Sequence, residues 1–172
     1  EEEEKRLESE IKNTNSVSLH IRRGDYISAG WGIPMEYYPQ ALSHLKDMIG
    51  DGFTVYVFSD DLKYCEEYFS NLPVEGVRFC YMDYVSEDKS VNDMYLMSCA
   101  KHHIIANSTF SWWAAYMDRK EDAIVICPET GKRHLLCLRV QGNLRGYLAG
   151  FWEDELVILK NSHGFTRLAA MK

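Results

Sequence analysis

Residues 53–69 read FTVYVFSDDLKYCEEYF and contain one strand-to-helix unit. The first six residues form a nearly continuous apolar run of strand length, which is typical of a strand that is buried on both faces. Ser59 and Asp60 follow this run, and such short polar side chains can cap a helix that extends from Asp61 to Phe69. Similar units lie on both sides of this stretch.

Strand and helix patterns alternate along most of the chain. Further strands are predicted at residues 17–21, 77–82, 103–106 and 123–127, and further helices at residues 1–13, 35–49, 90–101 and from residue 112. This alternation predicts an α/β fold, with a parallel sheet and helices on both faces. Residues 27–34 are predicted to be loop, and residues 133–140 and 155–159 can each be strand or helix.

The composition is that of one soluble globular domain: the chain has 172 residues, 46% hydrophobic and 26% charged. Its net charge is -7, so no nucleic-acid partner is expected. The five cysteines include no CxxC pair, and we expect small buried thiols in a reducing compartment. No segment is long and apolar enough to span a membrane. We therefore predict a cytoplasmic protein, with peripheral association at the inner face of the membrane as a further option.

The segment after the first predicted strand is Arg22-Arg23-Gly24-Asp25. Ligands of open α/β sheets bind at the carboxyl ends of the strands, and the planar fork of arginine matches phosphate oxygens. Neighbouring side chains of a strand point to opposite faces, so one arginine can face a ligand while the other anchors the loop on Asp25. On residue chemistry alone, a phosphate clamp and an ion pair that closes the turn are equally well supported.

A second polar segment follows the fourth predicted strand and comprises Asn107, Ser108, Thr109, Phe110 and Ser111. Hydroxyls and backbone N–H groups at the start of a helix can bind an anion, although an ordinary N-cap explains the same residues. Two phosphate-suited strand ends in one sheet are what a diphosphate site requires.

Three other side chains are candidates for contacts with a base or ribose: Asp60, Asp61 and Asp93. The aspartates can equally be first-turn acids that the helix dipole favours. His20 lies in the first predicted strand, and a structural role in the core is favoured for it on residue chemistry alone. The chain has no GxxxxGK[ST] loop, no GxGxxG turn and no GxSxG elbow.

Three segments resemble, in the same order, the motifs of bacterial α-1,2-fucosyltransferases of glycosyltransferase family 11. They are HIRRGDY at residues 20–26, VFSDD at residues 57–61, and NDMYLMS at residues 92–98 with HIIANSTFSWWAA at residues 103–115. The wider fucosyltransferase group shares the HxRR core of the first motif. The resemblance covers roughly residues 15–127.

The resemblance implies the Rossmann-like, nucleotide-binding half of a GT-B-like fold. It also implies an inverting, metal-independent transfer of fucose from GDP-fucose to a galactose hydroxyl in α-1,2 linkage. No cofactor is expected besides the donor substrate, and a galactose-containing glycan is the implied acceptor.

The resemblance further implies roles for individual residues. Arg22 would hold the β-phosphate and stabilise the leaving GDP as the catalytic residue, His20 would lie near the base or ribose, and Asp93 would read the guanine N–H edge. The phosphates would be lined by Ser108, Thr109, Phe110 and Ser111. The substrate-binding residues would also include Asn107, Asp60 and Asp61, and the turn would be braced by Arg23, Gly24 and Asp25.

The family has a substantial segment before its first motif, whereas this chain has about nineteen residues there. We therefore expect residues 1–172 to be a single GDP-fucose-binding domain, with a lead-in helix at 1–13 and a divergent tail at 129–172. Such a domain can bind GDP without transferring sugar, so a non-catalytic nucleotide-sugar-binding module is the alternative. A different phosphate-handling enzyme, such as a phosphatase, is a third reading.

Overall fold

The computed structural model describes residues 2–72, 74–128 and 157–159, which form one sheet flanked by helices. The strands are β1 (Ser16–Ile21), β2 (Phe53–Ser59), β3 (Val77–Tyr81), β4 (His102–Ile104), β5 (Val125–Cys127) and β6 (Val157–Leu159). The helices are α1 (Glu2–Asn13), α2 (Gly24–Ser28), α3 (Tyr37–Ile49), α4 (Leu62–Asn71), α5 (Lys89–Cys99) and α6 (Thr109–Met117).

The strand order is β3-β2-β1-β4-β5-β6. The first five strands of this order are parallel, and β6 pairs antiparallel with β5. The chain order reverses between β1 and β4, and such a topological switch point opens a crevice at the carboxyl ends of the strands. The predicted α/β fold with a Rossmann-like parallel sheet is confirmed.

Helices cover both faces of the sheet, as predicted. Val55 and Val57 of β2 pack on one face with residues of α3 and α4, whereas Tyr56 and Phe58 pack on the other face with residues of α1 and α5. Successive side chains of a strand alternate between faces, so β2 is buried on both. A strand that is buried on both faces needs apolar side chains at nearly every position, which explains the nearly continuous apolar run at residues 53–58.

Several element boundaries differ from the sequence-based prediction. Helix α2 lies at residues 24–28, where we predicted a turn and the beginning of a loop, because the N–H groups of Ile27 and Ala29 donate to carbonyls four residues earlier. Helix α6 begins at Thr109 instead of Trp112, since Ser108 is its N-cap. The N-cap of α4 is Asp61, one residue later than expected.

Three of the cysteines fit or nearly fit the prediction of buried thiols. Cys65 and Cys99 are buried and free, and Cys80 is free and half-buried. Cys127 departs from the prediction because it is disulfide-bonded. Residues 133–140 lie outside the described residues, and of the segment 155–159 the structure shows strand β6 at residues 157–159. Within the part of the chain that the structure describes, no helix has the length and apolar character of a membrane span.

Candidate active site

The polar segments that were singled out in the sequence converge at the topological switch point. The first follows β1, the second follows β2, and the segment 107–111 follows β4. Because β1 lies between β2 and β4 and all three are parallel, their carboxyl ends meet at one edge of the sheet. This edge is where ligands of open α/β sheets bind.

Arg22 presents a partly open guanidinium at this edge, and its side chain is 37% exposed. Its Nη2 lies 2.7 Å from Oδ1 of Asp25, and its Nη1 lies 3.2 Å from Oδ2 of Asp60. The guanidinium carbon is 5.5 Å from the ring centre of Tyr26. Two carboxylates therefore orient a cation that still reaches solvent.

Arg23 is more enclosed and ties the end of β1 to α4. Its Nε donates to Oδ2 of Asp61 at 3.1 Å, its guanidinium lies 3.2 Å from the ring centre of Tyr64, and its backbone N–H donates to Oδ1 of Asp60 at 2.9 Å. These contacts suit an anchoring role. The partner differs from our expectation, because Asp25 contacts Arg22 and not Arg23. Asp25 lies three residues after Arg22, in the first turn of helix α2, and this turn brings the two side chains together.

Gly24 allows the close approach of Asp60. A Cβ atom at position 24 would lie 2.7 Å from Oδ2 of Asp60, which is closer than such atoms approach in proteins. Asp60 is also fixed by Arg22 and by the backbone of Arg23. Glycine at this position thus allows one carboxylate to bridge both arginines.

His20 is buried, with 5% of its surface exposed, and its ring centre lies 5.4 Å from that of Phe110 in the first turn of α6. Among the described residues, its Nδ1 is the one buried side-chain nitrogen or oxygen atom without a hydrogen-bond partner. Burial lowers the pKa of His20, Asp60 opposes this shift and Arg22 adds to it; the resulting pKa is about 4, so the ring is neutral at pH 7. An unsatisfied buried polar atom costs roughly 1–3 kcal/mol, and a ligand atom can remove that cost.

The start of α6 combines a cap with a potential anion site. The Ser108 hydroxyl accepts a hydrogen bond from the Phe110 N–H at 3.3 Å, and the Ser111 hydroxyl donates to the Ser108 carbonyl. Both serines are buried, Asn107 is half-buried, and Thr109 is exposed. The serine hydroxyls therefore shape the turn. The N-terminus of α6, which is the positive end of its helix dipole, lies at the edge of the sheet that also carries Arg22.

Asp93 lies apart from the arginine cluster, on α5. Its Oδ1 accepts hydrogen bonds from the Tyr84 hydroxyl at 2.8 Å and from Nζ of Lys89 at 3.4 Å. Burial raises the pKa of Asp93, while Tyr84 and Lys89 partly offset this effect. Tyr84 and Phe110 belong to the same apolar cluster, which links Asp93 to the region around His20.

Sequence reasoning assigned no role to four residues of this region. Tyr26, the last residue of the first motif, contacts Arg22, while Tyr64 and Tyr84 contact Arg23 and Asp93, and no spacing rule signalled these contacts. Lys89 could have been found, because it precedes Asp93 by four residues on a helix and such pairs lie side by side. Within the described ranges, no group of three His, Cys, Asp or Glu side chains is placed to hold a metal ion.

Comparison with known proteins places this chain in a family. Residues 2–136 match the model of glycosyl transferase family 11. The chain belongs to this family. A family 11 glycosyltransferase was the protein class that the three motifs resembled, and the match confirms that expectation.

Two curated relatives come from Escherichia coli. The O-antigen biosynthesis glycosyltransferase WbnK is 42% identical over 123 residues, which are 68% of this family 11 chain and 39% of that protein. An alpha-1,2-colitosyltransferase is 38% identical over 132 residues, which are 72% of this chain and 43% of that protein. The chain thus spans less than half the length of these two relatives.

Solved structures of the α-1,6-fucosyltransferase NodZ share the fold. The crystal structure with GDP matches with a TM-score of 0.54 and 15% identity, over 94% of this chain and 47% of that one. The crystal structure soaked with GDP-fucose matches with a TM-score of 0.52 and 14% identity, over 93% and 47% of the two chains. At such identities the likeness establishes the GT-B-like fold class alone.

Proposed function

We propose that this chain is the donor-binding part of a glycosyltransferase that transfers fucose from GDP-fucose to a galactose hydroxyl. The observation that carries the proposal is the pair formed by a partly open Arg22 and the unsatisfied Nδ1 of His20 at the topological switch point. A cation and a buried polar atom that lacks a partner, next to a helix start, suit a nucleoside diphosphate. Membership in family 11 supports the same reaction class.

In the proposed reaction, the acceptor hydroxyl attacks the anomeric carbon of fucose from the face opposite the nucleotide. The bond from this carbon to the β-phosphate oxygen breaks, and its electron pair leaves with GDP. Arg22 donates hydrogen bonds to the phosphate oxygens on which negative charge develops, which lowers the barrier. A general base takes the proton of the acceptor hydroxyl, and we do not assign this base to a residue.

The sugar and the linkage are the finer parts of the proposal. The NodZ crystals contained GDP or were soaked with GDP-fucose, which supports a GDP-fucose donor. One curated relative is named an alpha-1,2-colitosyltransferase, which supports the α-1,2 linkage and makes a colitosyl donor the competing choice. Inversion, the absence of a metal requirement and the galactose-containing acceptor stay predictions. The cytoplasmic location stays a prediction too, with peripheral membrane association as a further option.

Calorimetry with GDP, GDP-fucose and ADP tests the donor site. We expect GDP and GDP-fucose to bind more tightly than ADP. We expect Arg22→Ala to weaken GDP binding by about 2 kcal/mol, since hydrogen bonds to charged groups contribute roughly this much. Arg23→Ala serves as the matched variant, because its side chain contacts Asp61 and Tyr64 and should affect stability more than affinity. Equal binding of ADP and GDP, or normal GDP binding by Arg22→Ala, would contradict the proposal.

A non-catalytic nucleotide-sugar-binding module of the same fold is the second candidate. The observation in its favour is that the described groups at the switch point, Arg22 and His20, suit a nucleotide, and no described residue is assigned to the acceptor. A transfer assay with GDP-fucose and lactose separates the two candidates. Fucosylated product from this chain alone would exclude the non-catalytic module, whereas GDP binding without product would favour it.

A further inference from the structure

The two oxygen atoms of the Asp93 carboxylate differ in the number of hydrogen bonds that they accept. Oδ1 accepts both hydrogen bonds, from the Tyr84 hydroxyl at 2.8 Å and from Lys89 at 3.4 Å. Oδ2 has no partner among the described residues, and it reaches solvent, unlike Nδ1 of His20. A carboxylate with one saturated and one open oxygen is prepared to accept a further N–H donor from one direction.

Tyr84 is itself held in place from the other side. It follows β3, it is 6% exposed, and its ring packs in the apolar cluster that includes Phe58 and Leu96. Nζ of Lys89 lies 3.9 Å from the centre of this ring and donates to the carbonyl of Met82 at 2.9 Å. Burial and the hydrogen bond to Asp93 raise the pKa of Tyr84, so its hydroxyl stays a neutral donor.

The location of Asp93 fits the base of a nucleotide whose phosphates lie at Arg22. Tyr84 follows β3, and β3 lies two strands from β1 in the same parallel sheet. Neighbouring strands are about 4.8 Å apart, so the ends of β1 and β3 are separated by roughly 10 Å. A ribose and an α-phosphate can bridge that separation.

We propose that Tyr84 is a positioning residue, which, together with Lys89, occupies Oδ1 of Asp93 and so leaves Oδ2 to accept an N–H group of the donor's base. The proposal rests on the proposed donor site, and it assigns base selectivity to a buried hydroxyl that does not itself contact the ligand. Guanine offers N–H donors on the edge where adenine offers an acceptor at N1. A fixed carboxylate oxygen therefore favours guanine over adenine.

The experiment measures the affinities of the full chain for GDP, inosine diphosphate and ADP by calorimetry. Tyr84→Phe keeps the buried ring and removes the hydroxyl. We expect it to weaken GDP binding by about tenfold, the scale of a hydrogen bond to a charged group, and to change ADP binding little. Inosine diphosphate keeps the N1–H donor and lacks the exocyclic amine, so a loss shared by GDP and inosine diphosphate points to N1–H. A loss confined to GDP points to the amine, and either result supports the proposal.

A double-mutant cycle distinguishes positioning from a merely structural role. If Tyr84 acts through Asp93, then adding Tyr84→Phe to Asp93→Asn should produce no further loss of GDP affinity. Tyr95→Phe is the matched control, because Tyr95 lies on α5 and its hydroxyl donates to Glu8. We expect this control to leave the ratio of the GDP and ADP affinities unchanged.

Two results would contradict the role of Tyr84 and leave the proposed donor site unaffected. One is a Tyr84→Phe variant that loses stability but keeps the wild-type ratio of GDP to ADP affinity, and the other is a full additional loss on the Asp93→Asn background. If Tyr84→Phe does not fold, Lys89→Gln provides the same test at a residue that is 37% exposed, with a smaller shift of the ratio in the same direction. Absence of GDP binding by the wild type would instead contradict the proposed function.

Discussion

At the scale of the residue, the guanidinium of Arg22 is the group for which protein and ligand compete. Its two terminal nitrogens contact Asp25 and Asp60. A diphosphate that binds there competes with these carboxylates for the positive charge of the guanidinium. Asp25 is the weaker competitor, because its side chain is 66% exposed and exposed ion pairs contribute little to stability.

Asp25→Asn should therefore strengthen GDP binding a few-fold and leave the free energy of unfolding almost unchanged. Calorimetry and urea unfolding measure the two quantities. Asp51→Asn is a matched control, since Asp51 is equally exposed and forms an ion pair with Lys46, away from Arg22. Weaker GDP binding by Asp25→Asn would show that Asp25 holds Arg22 in its binding geometry and does not compete with the phosphate.

Gly24 offers a second test at the same scale. In Gly24→Ala the new methyl group would lie 2.7 Å from Oδ2 of Asp60, which must move away from Arg22 and from the backbone N–H of Arg23. We expect GDP affinity to fall by about tenfold, together with roughly 1–2 kcal/mol of stability. In Gly32→Ala the new methyl group meets the flexible end of Ile27 at 2.9 Å, so this variant should bind GDP normally. Equal affinity in both variants would argue against a bridging role for Asp60.

At the scale of the element, a buried polar network fixes the end of α6 that lies opposite the site. Nε2 of His103 in β4 lies 2.8 Å from Oδ2 of Asp118, the C-cap of α6, and Nδ1 of His103 lies 2.8 Å from the Ser18 hydroxyl in β1. Nζ of Lys120 adds a 2.6 Å contact to Asp118 and donates to the carbonyl of Ala100, just after α5. The network therefore holds α5 and α6 against the two strands that form the switch point.

The network makes stability depend on pH in a defined direction. Burial alone would raise the pKa of Asp118, but His103 and Lys120 outweigh it and lower the pKa below 3.8. The folded state thus holds its Asp118 proton less tightly than the unfolded chain does. The stabilisation is complete above the unfolded-state pKa and is lost as the pH falls through the lower, folded-state pKa.

Asp118→Asn should cost about 2 kcal/mol at pH 7, because it removes the charge of a buried carboxylate that contacts Lys120 and His103, and hydrogen bonds to charged groups contribute roughly this much. The cost should shrink as the pH falls below 3.8, where the wild type also loses the charge. Urea unfolding at several pH values measures this difference, with the exposed Glu121→Gln variant as control. A cost that stays constant down to acid pH would show that Asp118 contributes by packing and not by its charge.

At the scale of the whole molecule, the sequence predicts what depends on local pattern. The apolar run at residues 53–58 identifies the central strand β2, and the alternation of units identifies the sheet. The partner of Arg23 could not be predicted, because it depends on how α2 turns Asp25. Packing between separate segments also determines that Nδ1 of His20 lacks a partner and that the Tyr84 hydroxyl donates to Asp93. The spacing of residues in the sequence does not indicate either feature.

The described parts of the proposed donor site lie on both sides of the sheet's central strands, so ligand binding should stabilise the fold as a unit. Asp60 and Asp61 come between β2 and α4, on the side of one apolar cluster, whereas Phe110 packs against the other cluster. A ligand that binds the folded chain alone at a hundred times its dissociation constant adds about 2.7 kcal/mol to the free energy of unfolding.

We therefore expect GDP at this concentration to raise the free energy of unfolding of the wild type by that amount, measured by urea unfolding, and ADP at the same concentration to raise it less. Arg22→Ala at the same GDP concentration should gain only about 1 kcal/mol, because a loss of about 2 kcal/mol in affinity leaves GDP at a few times the dissociation constant of the variant. A full GDP shift in Arg22→Ala would place the nucleotide elsewhere on the molecule. A wild-type shift without preference for GDP over ADP would retain the phosphate site and reject the reading of the base by Asp93.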